Sequence, residues 1–150
     1  MKLEQTCTIT ASRPEVWEFL MNMENVAACL QGVRKFEAID EDNYEGILRI
    51  KVGPVSISFQ GTVVVETRDR EQWLGVVRAE AKDRKIGGGV TANLNMSLAE
   101  KSPEETEMNI VLDTHLLGKI GEFGQPLIRK KTDDLLQNFA AEVSKQLSPE

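Results

Sequence analysis

Along most of the chain, apolar and polar residues alternate with the period of two that is typical of β-strands with one buried face. The stretches with this pattern are residues 3–10, 44–52, 55–66, 73–81, 91–98 and 106–116. Short turns such as Gly53-Pro54 separate them. The pattern therefore predicts an antiparallel meander with one apolar face and one polar face.

Two short helices are predicted between the first and second of these strands. Ser12 and Glu15 form a capping box, and Pro14 suits the first turn of a helix that begins after Ser12. A second helix is predicted over about residues 24–30, and Gly32 is suited to end it.

The pattern changes period after the last strand. From Lys119 onward apolar residues recur every three or four positions, which predicts one long amphipathic helix, interrupted or bent near Pro126. The order of elements predicts a single α+β domain over residues 1–150, with a curved antiparallel sheet wrapped around the C-terminal helix. A sheet curved around one helix tends to leave a gap, which is a natural hydrophobic pocket.

Composition and charge narrow the classes of function. The 18 basic residues are outnumbered by 24 acidic ones, giving a net charge of −6, which argues against nucleic-acid binding. No apolar run is long enough to span a membrane, and the first residues lack the apolar core of a signal peptide. We therefore expect a cytoplasmic protein with no integral membrane segment; peripheral contact with a membrane is left open.

The apolar faces of the predicted elements supply the candidate ligand-binding residues. A subset of these side chains is expected to line the pocket and the rest to be ordinary core. The candidates are Phe36, Tyr44, Phe59, Trp73, Met96, Met108, Phe123 and Leu127.

Glycines mark the predicted opening of the pocket. Gly118, Gly121 and Gly124 recur every third residue, so at the start of a helix they would lie on one face and form a flexible lip. Close helix–sheet contact is an equally good explanation. Gly88 lies in a three-glycine run, 87–89, which predicts a mobile loop; no Lys-Ser/Thr follows it, so a phosphate loop is not expected.

Candidate chemistry on polar residues is sparse. His115 is the only histidine, so we predict no metal site and no metal cofactor. Asp113 and His115 share one strand face, but alternation places them on the outer side of the sheet, so we predict no catalytic residue and no enzyme. Two groups of cations are candidates for a docking patch: Lys82, Arg84 and Lys85, and Arg129, Lys130 and Lys131.

Several segments together resemble a known family. They are Pro14-Glu15-Val16-Trp17, the stretch 24–33 (ENVAACLQGV), Lys51-Val52-Gly53-Pro54-Val55, Gly118-Lys119-Ile120, Phe123-Gly124 and Leu127-Ile128. On these residues the chain resembles the carbon monoxide dehydrogenase G-subunit family, within the START-like (SRPBCC) superfamily. Gln31 stands where that family usually has a proline.

The resemblance implies a helix-grip fold of the START/Bet v 1 type with an apolar cavity. It also implies an accessory role toward a molybdenum hydroxylase of the carbon monoxide dehydrogenase type, with redox-enzyme subunits as partners. A quinone or a lipid is the ligand that it suggests, and no cofactor is implied.

Two other functions stay open at this point. One is a polyketide cyclase-like enzyme on the same scaffold, for which Tyr44 is the one candidate residue. The other is a protein adapter without a small ligand, which an exposed apolar patch around Ile47 and Val64 would favour.

Overall fold

The computed structural model describes residues 1–148. Strand β1 (Lys2–Ile9) is followed by helices α1 (Arg13–Met21) and α2 (Met23–Cys29). Six further strands are β2 (Val33–Ala38), β3 (Asn43–Val52), β4 (Val55–Asp69), β5 (Leu74–Asp83), β6 (Gly88–Ser102) and β7 (Glu105–Gly118). A 3-10 helix (Lys119–Phe123) then leads into the long helix α3 (Gln125–Leu147).

The strands form one antiparallel seven-stranded sheet in the order β1-β7-β6-β5-β4-β3-β2. This arrangement, with α3 against the sheet, confirms the predicted α+β helix-grip architecture. Strand β2 was missed in the sequence. A register irregularity between Val33 and Lys35 spaces the half-buried Val33 and Phe36 three residues apart, which destroys the alternation that reveals a strand.

Polar caps begin the two short helices. The Ser12 hydroxyl accepts a hydrogen bond from the Glu15 backbone N–H at 3.4 Å and donates one to the Glu15 carboxylate at 2.9 Å. The Asn22 side chain accepts from the Glu24 N–H at 3.0 Å, and Asn22 both ends α1 and caps α2. The capping prediction at Ser12 is confirmed.

The long helix predicted from Lys119 is interrupted near Pro126, which is one of the two forms expected for it. Gly124, with φ of 85°, separates the 3-10 segment from α3, and Pro126 lies in the first turn of α3. A residue at positive φ leaves the helical path, whereas proline fits the first turn because its missing N–H would be unpaired there. Gly118, Gly121 and Gly124 therefore precede α3 and do not share one face of it.

Within residues 1–148 the fully buried apolar residues form three clusters, which half-buried Met1 and Val26 link at their edges. The largest joins α1, β1, β6, β7 and the C-terminal half of α3, including Met96, Met108 and Leu136. A second contains Val52, Ile57, Phe59, Ile120 and Ile128. The third, beside α2, contains Met23, Tyr44 and Val65. A domain of this size usually has one continuous core, so the division needs a structural cause.

The sheet has two ends, between which α3 runs. The glycine end consists of the β3–β4 turn at 53–54, the β5–β6 turn at 84–87 and residues 118–124. The α1 end consists of α1 and the hairpin turns at 39–42, 70–73 and 103–104. Helix α3 runs from the glycine end, where Ile128 joins the second cluster, toward the α1 end, where Val143 joins the first.

Candidate functional site

Small residues occupy the middle of the inner sheet face. Gly46 pairs with Gly61, and Gly61 pairs with Ala81 on the next strand. In the neighbouring row Ala79 pairs with Ala92. A Cβ at Gly61 would overlap the Glu80 carbonyl oxygen and lie 2.8 Å from the Ala81 Cβ, so this glycine permits a close approach of β4 and β5.

The burial pattern of the inner sheet face points to a hollow between the sheet and α3. Ala79, Ala92 and Leu135 of α3 belong to none of the three clusters, although alternation directs both alanines inward. The apolar inner-face residues around them are only half-buried: Leu48, Ile50, Val63, Val77, Ala81, Val90, Leu94, Leu112 and Leu116. If α3 packed tightly over these strands, their inner-face side chains would be fully buried. Their partial exposure therefore indicates that the centre of the core is open, and the open centre divides the core.

Helix α3 covers the hollow from one side. It packs mainly along β1 and touches β3 and α2 at fewer positions. Asp133, which accepts a hydrogen bond from the Gln5 side chain of β1, marks the flank next to β1. Leu135 lies two residues further on, about 200° around the helix, and therefore on the flank toward the hollow.

Backbone contacts hold the glycine end together. A Cβ at Gly118, which has φ of 63°, would lie 2.9 Å from the Gly87 carbonyl oxygen and the Gly88 Cα. The Lys119 N–H donates to the Gly87 carbonyl at 2.8 Å. By contrast, a Cβ at Gly121 would meet nothing nearer than 3.6 Å, and one at Gly124 nothing within 4 Å.

The predicted loop at residues 87–89 is wrong in part. β6 begins at Gly88, which pairs with Asp83 on one side and Gly118 on the other. Absence of side chains is what allows three backbones to approach at this point, so the glycines serve close packing there instead of mobility.

A buried carboxylate fixes the same end. Asp83, 4% exposed, accepts backbone hydrogen bonds from Ser58 at 2.8 Å, Lys85 at 2.8 Å and Ile86 at 3.1 Å. These N–H groups, that of Ser58 foremost, hold the pKa of Asp83 below its usual range. The carboxylate thus joins β4 to the β5–β6 turn and has no role as a proton donor near neutral pH.

The predicted pocket residues fall in different places. Phe59 and Phe123 pack in the second cluster, with Phe59 buried and Phe123 half-buried. Met96 and Met108 are buried in the first cluster. Leu127 is 42% exposed on the outer side of α3, beside Gly53.

The remaining three candidates lie toward the α1 end. Phe36 stacks on Tyr44 with ring centroids 5.1 Å apart. Trp73, in the turn before β5 with φ of 54°, makes an edge-to-face contact with Trp17 at 5.8 Å. The guanidinium carbons of Arg13 and Arg70 lie 4.4 and 4.9 Å from the centroid of Trp73.

Tyr44 belongs to a hydrogen-bond network at that end. Its hydroxyl donates to the Glu41 carbonyl at 2.7 Å. Arg68 donates to the Tyr44 hydroxyl at 3.4 Å, to the Met21 carbonyl at 2.7 Å and to the Asp42 carboxylate at 3.2 Å. The phenol is therefore engaged in joining the β2–β3 hairpin to β4 and α1.

Other titratable candidates lie away from the hollow. His115 is exposed and pairs with Thr91 on the outer face of the sheet. Within residues 1–148 no group of three or more His, Cys, Asp or Glu side chains is arranged to hold a metal ion. Burial raises the pKa of the free thiols of Cys7 and Cys29, and the charge of Glu142 adds to the effect at Cys29.

Two surface grooves lie outside the hollow. One, of about 450 Å³, runs between the β1 edge and the start of α3 and is lined by Leu3, Pro126 and charged side chains such as Arg129. The other, of about 370 Å³, lies between α2 and the β2–β3 hairpin beside Arg68. Both are open and rich in charge, so the hollow is the better match to an apolar molecule.

Sequence reasoning missed the residues that create the hollow. Gly46, Gly61, Ala79 and Ala92 look ordinary one strand at a time. They become a feature only when the strand register places them side by side. The signal in the sequence was a small residue at an inner position of several successive strands.

Comparison with known proteins identifies the family. The carbon monoxide dehydrogenase G-subunit (CoxG) family matches the chain over residues 6–148. The chain belongs to the CoxG family. This confirms the resemblance noted in the sequence; by its name, the family is a subunit of that enzyme. No curated protein matches the chain significantly.

Solved structures support the fold of this CoxG family member. A conserved protein from Geobacillus kaustophilus has 20% identity and a TM-score of 0.88, with 98% of this chain and 95% of that chain covered. The Zhui aromatase/cyclase from Streptomyces sp. R1128 has 14% identity and a TM-score of 0.72, with 98% and 93% covered. A START superfamily protein from Mycobacterium smegmatis has 11% identity and a TM-score of 0.69, with 97% and 96% covered. At these identities the likeness establishes the fold alone. Within residues 1–148 no helix is long and apolar enough to cross a membrane.

Proposed function

We propose that this protein binds a hydrophobic small molecule, quinone-like or lipid-like, in the hollow between the sheet and α3. The observation that carries the proposal is the division of the core around Ala79 and Ala92. Leaving apolar side chains open to water opposes folding, so an unfilled centre is better explained by a ligand than by stability.

The expected free energy of ligand binding suits a carrier protein. Burying about 400 Å² of apolar ligand surface contributes roughly 10 kcal/mol before costs. Immobilising the ligand takes back several kcal/mol, which leaves an affinity on the order of micromolar. A ligand held with this affinity is bound by the protein and can also be released to a partner.

Family membership extends the proposal to a partner. We infer that the protein is an accessory to a molybdenum hydroxylase of the carbon monoxide dehydrogenase type, to which it brings its ligand or from which it takes one. The glycine end is the proposed opening, since exposed Leu117 and Leu127 flank it together with Lys119. The same side chains are suited to peripheral contact with a membrane.

The cyclase and adapter alternatives have less support. Within residues 1–148 the inner face between the first and second clusters carries no charged side chain on β3, β4, β6 or β7. Arg68 faces inward only at the α1 end, where Met21 and Asp42 accept its hydrogen bonds, and the Tyr44 hydroxyl is already bonded. Ile47 and Val64 are half-buried on the outer face, but Ile47 pairs with Gln60. That separates Ile47 and Val64 by about 13 Å along the strands, too far to form one patch.

The first test is native mass spectrometry of the purified protein, followed by extraction and identification of any released molecule. We expect a discrete apolar adduct, or uptake of added decyl-ubiquinone or fatty acid by the apo protein. Ala92→Leu should abolish this uptake because the new side chain fills the hollow. Ala99→Leu, the same change at an exposed position of the same strand, should not. Equal uptake by both variants would place the ligand elsewhere.

A further inference from the structure

Lys131 occupies an unusual position on α3. It lies three residues after Ile128 of the second cluster and four before Leu135, so all three share one face of the helix. Leu135 places this flank toward the hollow, and Lys131 lies at its edge, because it also follows exposed Leu127 by four residues. Lys131 is half-buried there, whereas the side chain of its neighbour Lys130 is 76% exposed.

No acidic side chain in the described part of the chain neutralises Lys131. Lys130 pairs with Asp134 at 3.6 Å, and Asp133 is bonded to Gln5 on the opposite flank. Glu142 shares the flank of Lys131 but lies eleven residues on, about 16 Å along the helix axis. Across the sheet, Asp83 is occupied by three backbone N–H groups.

The hollow offers Lys131 little else to bind. The one inner-face hydroxyl in the small-residue rows, that of Thr114, donates to the Met1 carbonyl at 3.4 Å. The remaining inner positions there are glycine, alanine or larger apolar residues. Within residues 1–148 the fully buried side-chain polar atom without a partner is Arg13 Nε, so the Lys131 ammonium keeps contact with water at the edge of the hollow. An acceptor oxygen on a ligand at that edge would gain a charge-assisted hydrogen bond from it.

We propose that Lys131 is the polar anchor of the hollow, where its ammonium group holds an acceptor oxygen at one end of an otherwise apolar ligand. This rests on the proposed function and deepens it. The hydrocarbon stem of Lys131 packs along the apolar wall while its charged end meets the ligand head at the opening beside α3. The ligand is therefore an amphiphile with one oxygen-bearing head and an uncharged tail.

Two sources supply that oxygen. A carboxylate head, as in a fatty acid, forms a charge-assisted hydrogen bond with the ammonium group. A carbonyl head, as in a quinone, accepts a hydrogen bond from the same group with a weaker electrostatic contribution. Ligands with these two kinds of head differ in how strongly their affinity depends on the charge of residue 131.

Fluorescence titration with dansyl-undecanoic acid and with its methyl ester, and displacement of the bound probe by decyl-ubiquinone, test this. Lys131→Met should weaken binding of the acid by about tenfold or more, the loss expected for a hydrogen bond to a charged group. Lys131→Arg should restore most of it. Lys130→Met is the matched control, one residue away on the exposed side, and should bind as the wild type does.

Each outcome has a distinct meaning. If Lys131→Met loses affinity for the acid alone, the ligand has a carboxylate head. If it loses affinity for both the acid and the quinone, Lys131 anchors oxygen acceptors in general. Both outcomes support the proposal. Unchanged binding of every probe by Lys131→Met overturns the anchor while the carrier function stands. A wild-type protein that binds none of the three probes overturns the carrier function, and the anchor with it.

Discussion

At the scale of single residues, the glycines near the opening differ in what they do. Gly118 has φ of 63° and ψ of −146°, a region that only glycine occupies readily, and its α-carbon packs against two other glycines. A Cβ at Gly121 would make only ordinary van der Waals contact, 3.6 Å from the Leu116 carbonyl oxygen. Their regular spacing in the sequence suggested one shared role, yet packing separates them.

We expect Gly118→Ala to lower the free energy of unfolding by about 1–3 kcal/mol, because it forces an L-residue into this conformation and against Gly88. Gly121→Ala should stay within about 0.5 kcal/mol of the wild type. Urea denaturation of both variants measures the difference. Equal stability of the two variants would contradict the close packing at Gly118.

Asp83 gives a prediction about pH. Its pKa is lowered in the folded state, so its contribution to stability is present above the usual aspartate value of about 3.9 and is lost as the pH falls through the folded-state pKa. Asp83→Asn should therefore destabilise the protein near neutral pH, by about 1–3 kcal/mol for a buried N–H left without its acceptor. The difference in the free energy of unfolding between Asp83→Asn and the wild type should therefore shrink as the pH falls into the acidic range.

Urea unfolding at a series of pH values from neutral to about 3 checks this. Asp134→Asn is the control, because its pair with Lys130 is more than half exposed on both sides and contributes little. A destabilisation of Asp83→Asn that is the same at every pH would count against the hydrogen-bonded carboxylate.

At the scale of elements, α3 is anchored along one side only. Its buried residues Leu136, Ala140 and Val143 join the first cluster, and its contacts with β3 are few. The flank of α3 that carries Leu135 faces the hollow. The division between α3 and the 3-10 segment also gives the glycine end a direction change that a continuous helix would not have.

Two leucines of α3 should therefore respond differently to truncation. Leu136→Ala removes a buried side chain from the first cluster and should cost about 2–5 kcal/mol. Leu127→Ala, at a position that is 42% exposed, should cost less than about 1 kcal/mol. Chemical denaturation of both variants tests which face of α3 is held. A larger loss at Leu127 would contradict the observed packing.

At the scale of the whole molecule, the sparsely packed centre lies between two packed clusters. The first cluster packs at the α1 end of α3 and the second at its glycine end, and small residues keep the middle of the sheet clear. The two clusters supply stability, and the proposed function assigns ligand binding to the centre.

A ligand in this centre should stabilise the protein by mass action. At a free concentration about 100 times its dissociation constant, it should add about 2.7 kcal/mol to the free energy of unfolding. Thermal unfolding at increasing concentrations of decyl-ubiquinone or fatty acid should show a rising midpoint for the wild type and for Ala99→Leu. The midpoint of Ala92→Leu should stay constant. A rise of the same size in Ala92→Leu would show that the ligand binds outside the hollow.

The sequence by itself determined the class of the fold and most of its elements. The alternation that revealed strands β1 and β3 to β7, and the capping box at Ser12, are local signals that need no knowledge of distant residues. Strand β2 escaped because a bulge interrupts the periodicity on which such reasoning depends. The interruption near Pro126 was expected, but its position at Gly124 depends on a positive φ that the periodicity does not record.

Only the tertiary structure decided where the hollow lies and which side chains surround it. The large apolar residues were the candidates for the pocket in the sequence, and several of them, such as Met108, are fully packed in the core. The hollow depends instead on Gly61, Ala79 and Ala92, whose significance comes from strand register and from the position of α3. Register and helix placement are set by contacts between residues far apart in the chain, and for that reason no local pattern records them.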